Sequence, residues 1–213
     1  MGRIRAVLFD LDGVLVDARD WHFDALNRAL ASFGFTLTRQ EHEDLYDGLP
    51  TRRKLEILSE RKGLPPALHD PIHRLKQVFT REEILARCVP VAAKVAMVRL
   101  LRKDGYRLGV CSNAIRDSVN LMLRHAGLLE YLECALSQED VERPKPEPDI
   151  YREAMARLAS APEETVIVED GRHGLESGQR AGGHVLQVRT IDEVDHEFVR
   201  RFIEDVERAA VKS

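Results

Sequence analysis

Ala6-Val-Leu-Phe9 constrains the fold of this chain more than any other stretch. Such an apolar run is too short for a helix and shows no polar alternation, the pattern of a strand covered on both faces in a parallel sheet. Parallel strands need crossover connections, so the rest of the chain has to supply strands alternating with helices. Asp10 ends the run, Asp12 follows two positions on, and Gly13 comes next. Side chains in extended chain repeat with period two, so both carboxylates can face one side. Gly13 lets the chain turn out of the sheet at the strand's carboxyl end, where open α/β sheets place their ligands. One acid could then attack as a nucleophile while the other moves protons; taken alone, the same residues also suit a plain turn.

After Asp17 the spacing becomes helical. Leu26, Ala29, Leu30 and Phe33 form a stripe closed by Gly34, and Thr38 with Glu41 makes a capping-box pair for a second helix. Helices are expected over 51–61 and 67–87, separated by Gly63, Pro65 and Pro66. Residues 18–89 contain no convincing strand and read as an inserted α-helical cap. From Pro90 the pattern alternates: helix 92–103, strand 107–111, a helix carrying Val119, Met122 and Leu123 up to Gly127, strand 134–136, a helix from Asp149, strand 165–168, strand 184–188 and a charged C-terminal helix. The predicted architecture is α/β, a doubly wound parallel-sheet, Rossmann-like core from residues 1–17 and 90–213 with the cap at 18–89.

Composition narrows the function classes. The 213 residues are 44% hydrophobic and 32% charged with net charge -4, so no general positive field draws in nucleic acid or an anionic membrane. No apolar run approaches a membrane span. Cys88, Cys111 and Cys134 are odd in number and form no Cys-x-x-Cys pair, against a disulfide framework or a zinc site and in keeping with a reducing cytoplasm. Met-Gly-Arg-Ile-Arg-Ala6 has neither a signal-peptide pattern nor the Ser or Thr of a myristoylation motif. A monomer or small homo-oligomer is expected.

The predicted strands, all but the last, end in residues suited to phosphate chemistry: Asp10 and Asp12, then Ser112 and Asn113, then Lys145, then Glu169 and Asp170. In a parallel sheet these ends share one edge. A carboxylate attacking a phosphate needs cations beside it. Lys145 supplies one; Asp10, Asp170 and Glu169 can hold another as Mg2+, a hard ion that takes carboxylates, substrate oxygens and water. The Ser112 hydroxyl and nearby N–H groups suit the remaining phosphate oxygens. Singly, each group has a plainer reading as helix cap, loop cation or acidic turn.

The motifs Asp10-Leu-Asp12-Gly-Val-Leu-Val-Asp17, Cys111-Ser-Asn113, Lys145-Pro-Glu-Pro-Asp149-Ile-Tyr151 and Val168-Glu-Asp170-Gly-Arg-His-Gly174, followed by Ala181-Gly182, resemble those of the haloacid dehalogenase superfamily, in its capped phosphatase and phosphomutase branch. The resemblance implies that Asp10 forms an aspartyl-phosphate, that Asp12 protonates the leaving group and then activates water, and that Ser112, Asn113 and Lys145 hold the phosphoryl group. It implies Mg2+ on Asp10, the Asp12 carbonyl and Asp170 with Glu169 assisting, and a small phosphorylated metabolite as substrate. It leaves open a phosphomutase of the beta-phosphoglucomutase type, or a non-catalytic partner-binding domain on the same scaffold. Two features depart from the pattern: Gly171 stands where similar proteins usually have Ser, and Ala18-Arg-Asp-Trp21 replaces a common Ser-Glu-Pro hinge.

In the cap, Gly48-Leu-Pro-Thr51 opens a helix whose first turn holds Arg52, Arg53 and Lys54, unfavourable at a positive helix end unless an anion lies nearby. Gly48, Thr51 and at least one of these cations, Arg52 first among them, are therefore candidates for contacting a second anionic or hydroxyl-rich part of the substrate, with Thr51 as a simple N-cap beside solvated neighbours the alternative. His22 is placed near the hinge, either within reach of the site or on a helix surface, and His173 lies in the 169–174 loop, where it either tunes Mg2+ or phosphate from behind their direct ligands or faces solvent.

Overall fold

Strand β1 (Ala6–Phe9) is buried along its whole length and lies at the centre of a five-stranded sheet among the described residues. This computed structural model describes residues 3–211, so Met1 and Gly2 of the N-terminal motif lie outside them. The remaining strands are β2 (Arg107–Cys111), β3 (Cys134–Leu136), β4 (Thr165–Glu169) and β5 (His184–Gln187), and the order is β3-β2-β1-β4-β5, all parallel. Phe9 is in register with Val110 on one side and Val168 on the other. The next residues, Asp10, Cys111 and Glu169, therefore stand at one level at the carboxyl ends of the strands. The strand order reverses beside β1, the crevice where such sheets take ligands.

Period-two alternation divides the core. Val7, Phe9, Leu108, Val110, Val166 and Val168 face one layer, formed by α5 (Ala92–Lys103), α6 (Arg116–His125) and α9 (His196–Val211). Ala6, Leu8 and Ile167 face the other, formed by α7 (Asp149–Arg157) and α8 (Arg172–Ala181). Helices on both faces make this the doubly wound α/β arrangement that the alternation of elements predicts.

Between β1 and α5 stand α1 (Arg19–Ala31), α2 (Arg39–Leu45), α3 (Thr51–Lys62) and α4 (His69–Arg87), with no strand among them. They bury an apolar cluster of their own, including Leu26, Leu30, Tyr46, Leu55, Leu58 and Ile72. Trp21, Ile84 and Cys88, at the two ends of this block, pack into the sheet's core instead. The Thr38–Glu41 capping box is present. Four expectations need correction. The helix expected from Ala67 starts at His69, because Pro66–Leu68 forms a separate 3-10 turn. β4 runs on through Glu169, since that carboxylate is buried as part of the strand, and β5 stops at Gln187. Thr51 is not an N-cap: Pro50 holds that position and Thr51 is buried in the first turn. No helix among the described residues is long and apolar enough to cross a membrane.

Candidate active site

At the carboxyl ends of the strands, Lys145 Nζ donates to Asp10 Oδ1 at 2.7 Å, to Glu169 Oε1 at 2.6 Å and to the Cys111 carbonyl at 2.8 Å. The lysine is buried, and its Nζ lies 4.9 Å from the ring centroid of Tyr151, whose hydroxyl also donates to Glu169 Oε1. Burial works to discharge Lys145, but Asp10 and Glu169 outweigh it and hold the ammonium above its ordinary pKa. Glu169 is confined from the other side. A Cβ at Gly174 would lie 1.9 Å from its Oε1, so the first turn of α8 must carry glycine there.

Asp10, Glu169 and Asp170 offer carboxylate oxygens within 4.8 Å of one another. Burial pushes Asp10 well above the ordinary carboxylate range; Lys145 opposes this, while Glu169, Asp170 and Asp12 add to the rise. Burial likewise lifts Asp170, Arg19 pulls it back, and Glu169 raises it again, to about 6. The cluster is thus short of positive charge even with Lys145 inside it. Hard oxygen donors, mutual proximity and unneutralised charge fit a small divalent cation.

Asp170 is held by the Arg19 guanidinium from the first turn of α1. Gly13 makes room for it: at φ +89°, a Cβ would lie 1.9 Å from Asp170 Oδ2. The departures at Gly171 and in the hinge meet here. Gly171 caps α8 with no side-chain bond, and the hinge residue Arg19 orients the neighbouring acid.

Asp12 faces the cap. Its Oδ1 lies 3.2 Å from His22 Nε2, and His22 Nδ1 lies 3.3 Å from Lys76 Nζ on α4. Asp12, held below the ordinary carboxylate range, can only accept, so the Nε2 proton points at it and Nδ1 is left to face Lys76. Burial, then Lys76, lowers the His22 pKa against the pull of Asp12. Burial raises the Asp12 carboxyl, but His22 and then Lys76 and Lys145 more than offset this, so Asp12 rests as a carboxylate, a base with a proton donor alongside.

Above these groups opens a cavity of about 770 Å³ between sheet edge and cap. Asp10, Asp12, Asn113, Lys145, Glu169 and Asp170 reach it from the core, and Gly48 and Thr51 from the cap, so most of the sequence-predicted residues are brought together. Four readings change. Arg52 turns outward to Asp70 at 3.2 Å on the exposed face, and its neighbours Arg53 and Lys54 line the cavity in its place, because one residue along a helix rotates the side chain by about 100°. The Asn113 amide is engaged in positioning: Nδ2 donates to the Gly48 and Lys145 carbonyls and Oδ1 accepts from Lys145 N, tying core to cap. Ser112 is buried, and its Oγ accepts from Ala114 N at 3.0 Å, shaping the loop whose Asn113 and Ala114 line the cavity. His173 is no solvent-facing loop residue; it lines the cavity, and its buried Nδ1 has no partner among the described residues.

Sequence reasoning missed Arg19, Lys76 and Tyr151, and left His22 undecided. A signal for Lys76 existed. With Ile72, Thr80 and Ile84 it forms the buried face of α4, a lysine at four-residue spacing inside a stripe that should exclude charge.

A doubly wound sheet with paired acids, a buried lysine and a carboxylate cluster at its switch point is the arrangement of an α/β enzyme. Residues 7–188 match the family model for haloacid dehalogenase-like hydrolases, and the chain belongs to that family. It is 29% identical over 185 residues to pyrophosphatase PpaX of Bacillus pumilus, covering 84% of this chain and 80% of that protein. It is 30% identical over 183 residues to the phosphorylated carbohydrates phosphatase of Thermotoga maritima, covering 84% and 82%. Among solved structures, beta-phosphoglucomutase from Clostridium difficile shares the fold with TM-score 0.83 at 17% identity, over 95% of this chain and 98% of that one. CbbY from Rhodobacter sphaeroides, in complex with phosphate, has TM-score 0.78 at 25% identity over 86% and 85%.

Proposed function

We propose that the protein is a Mg2+-dependent phosphatase that hydrolyses a small phosphomonoester through an aspartyl-phosphate on Asp10. The observation that carries this is the position of Asp10 Oδ1, held by Lys145 at 2.7 Å, beside Glu169 and Asp170 and on the cavity wall. The names of the PpaX and Thermotoga relatives, both phosphatases, support the reaction class.

The chemistry divides among the chain's own groups. The free oxygen of Asp10 attacks phosphorus. Asp12, reacting from its minor protonated form, gives the leaving oxygen that proton and returns to its resting carboxylate, and the ester bond breaks. Asp12, again a carboxylate, then takes a proton from a water that attacks the acyl phosphate, releasing phosphate and restoring Asp10. His22, at 3.2 Å, is placed to exchange that proton with Asp12. Lys145 neutralises charge at the phosphoryl oxygens, and Glu169 and Tyr151 fix its place. Asp10, Asp170 and Glu169 would hold Mg2+, which supplies further neutralisation and so keeps Asp10 ionised. The unpaired thiols Cys88, Cys111 and Cys134 are in keeping with a cytoplasmic protein.

The test is phosphate release from a panel of phosphomonoesters with and without Mg2+, for the wild type and Asp10→Asn, with isomeric products assayed alongside. Expected are Mg2+-dependent release and its loss in a variant that still folds. Activity in Asp10→Asn, or an isomer formed in place of phosphate, would overturn the reading.

A further inference from the structure

Among the described residues, three side-chain hydrogen bonds join the cap to the loops that follow β1, β2 and β4. His22 Nε2 lies 3.2 Å from Asp12 Oδ1, Asn113 Nδ2 donates to the Gly48 carbonyl at 2.9 Å, and the Arg19 guanidinium donates to Asp170 Oδ2. Only the third engages a carboxylate that also belongs to the candidate cation cluster of Asp10, Glu169 and Asp170. It lies at the hinge, because Arg19 is the first residue of α1.

Nothing local calls for an arginine at this position. A cation in the first turn opposes the positive helix end, and Ala18 before it makes no side-chain cap. The fold nevertheless makes room for the pair: a Cβ at Gly13 would lie 1.9 Å from Asp170 Oδ2 and 2.9 Å from Arg19 Nε. The Asp170 side chain is 5% exposed and that of Arg19 44%, so the arginine can leave toward the cavity while the acid stays. Burial works to discharge the guanidinium, and Asp170, then Asp47 and Asp10, more than offset it. Asp47 stands on the cap and lines the same cavity, so an acid on Arg19's own side of the cleft already attracts it. A divalent cation and a guanidinium on one buried carboxylate repel each other, since solvent screens them weakly there.

We infer that Arg19 is a hinge latch released by a divalent cation: the guanidinium ties α1 to the core through Asp170, and cation binding at that acid sends it toward Asp47 and loosens the first turn of the cap. The inference rests on the cation site of the reading above and adds to it a coupling between that site and the cap. The coupling is reciprocal, so the latch weakens cation binding by the same factor by which the cation weakens the latch. The Asn113 and His22 ties engage no member of the cluster and persist, which confines the release to the hinge end of α1.

The test uses the full chain without substrate. Trp21, the chain's only tryptophan, lies two residues beyond Arg19 on α1 and packs into the sheet's core, so its quenching by acrylamide reports the first turn of the cap. Mg2+ is titrated at constant ionic strength into wild type and Arg19→Gln, with Trp21 quenching and the calorimetric Kd read in parallel. In the wild type the quenching constant should rise by roughly twofold or more as Mg2+ saturates its site and local opening exposes the ring. Arg19→Gln should start at the higher value, ignore Mg2+, and bind it roughly threefold or more tightly. Should Arg19→Gln fail to fold, Arg19→Lys, which keeps the charge but loses the paired N–H fork, should show the same changes at reduced size. Equal or weaker Mg2+ binding in Arg19→Gln would make Arg19 an orienting partner of Asp170 and overturn the latch. Tighter binding with Trp21 quenching unmoved by Mg2+ in the wild type would overturn it too. Absence of Mg2+ binding to either protein would overturn the cation site, and with it the metal dependence of the phosphatase reading.

Discussion

Replacing Lys145 with methionine removes a charge and little volume, since the thioether follows the lysine stem. In the wild type Nζ lies 2.7 Å from Asp10 and 2.6 Å from Glu169, with the lysine side chain 4% exposed and those of the acids 12% and 2%. Solvent therefore screens the interaction weakly. Leaving one side of a buried pair without its partner costs about 3–5 kcal/mol. A chain of this size loses roughly 2–4 °C of Tm per kcal/mol, so Lys145→Met should melt about 6–20 °C lower near neutral pH without divalent cations.

The pH dependence has a definite sign. Asp10 already ionises above its ordinary value in the folded protein, and without Lys145 it ionises higher still. An acid with a raised folded pKa carries no penalty where folded and unfolded states are both protonated. The penalty grows as pH rises from the ordinary carboxylate range through the folded pKa. The Tm deficit should therefore shrink toward about pH 5 and be largest near about pH 8, and Mg2+ should reduce it at the higher pH. Calorimetric melts of wild type, Lys145→Met, Glu169→Gln and the double variant give the coupling directly. Phosphatase turnover should fall by roughly 10²–10³-fold in the same variant. A Tm within about 2 °C of wild type near pH 8, or a deficit that ignores pH, would refute the account of Lys145 as the cation shared by two buried acids.

Gly174→Ala should displace the Glu169 carboxylate, which would lie 1.9 Å from the new Cβ, and lower stability by roughly 1–3 kcal/mol in denaturant titrations. Arg19→Ala frees Asp170 from its guanidinium, so Mg2+ should bind more tightly by titration calorimetry; weaker binding would show that Arg19 supports the cation instead of competing with it. His42 is buried with its pKa lowered to about 3, so the unfolded chain binds a proton below about 6.5 that the folded chain refuses until near 3. Stability from this group is complete above that range and lost as pH falls through it. His42→Phe should flatten the Tm profile between about pH 7 and pH 4, and an unchanged slope would exclude His42 as the source.

The sheet was legible because its strands are short runs with no second interpretation: Ala6–Phe9, Arg107–Cys111 and Cys134–Leu136 stand where the apolar pattern puts them. The carboxylate cluster and Lys145 followed, since a parallel sheet brings its strand ends to one edge whatever the loops do. Both depend on local pattern and on one topological rule. The roles that shifted are those set by rotation about a helix or by contacts far apart in sequence. Arg52 and Lys54 are two positions apart on α3, and only the packing of α3 beside α4 decides that one meets solvent and the other the cavity. Asn113 looked like a phosphate ligand until the fold brought the Gly48 and Lys145 carbonyls to its amide.

The sequence by itself determined the doubly wound core, the acids at its strand ends and the helical nature of the inserted block, because periodicity and chain punctuation act within a few residues. Tertiary structure alone decided that Arg19 holds Asp170, that Lys76 reaches Asp12 through His22, and that Lys54 is buried facing the site. These pairings join the cap to the core or one cap helix to another, and a side chain's partner across such a gap depends on how two separately formed surfaces meet.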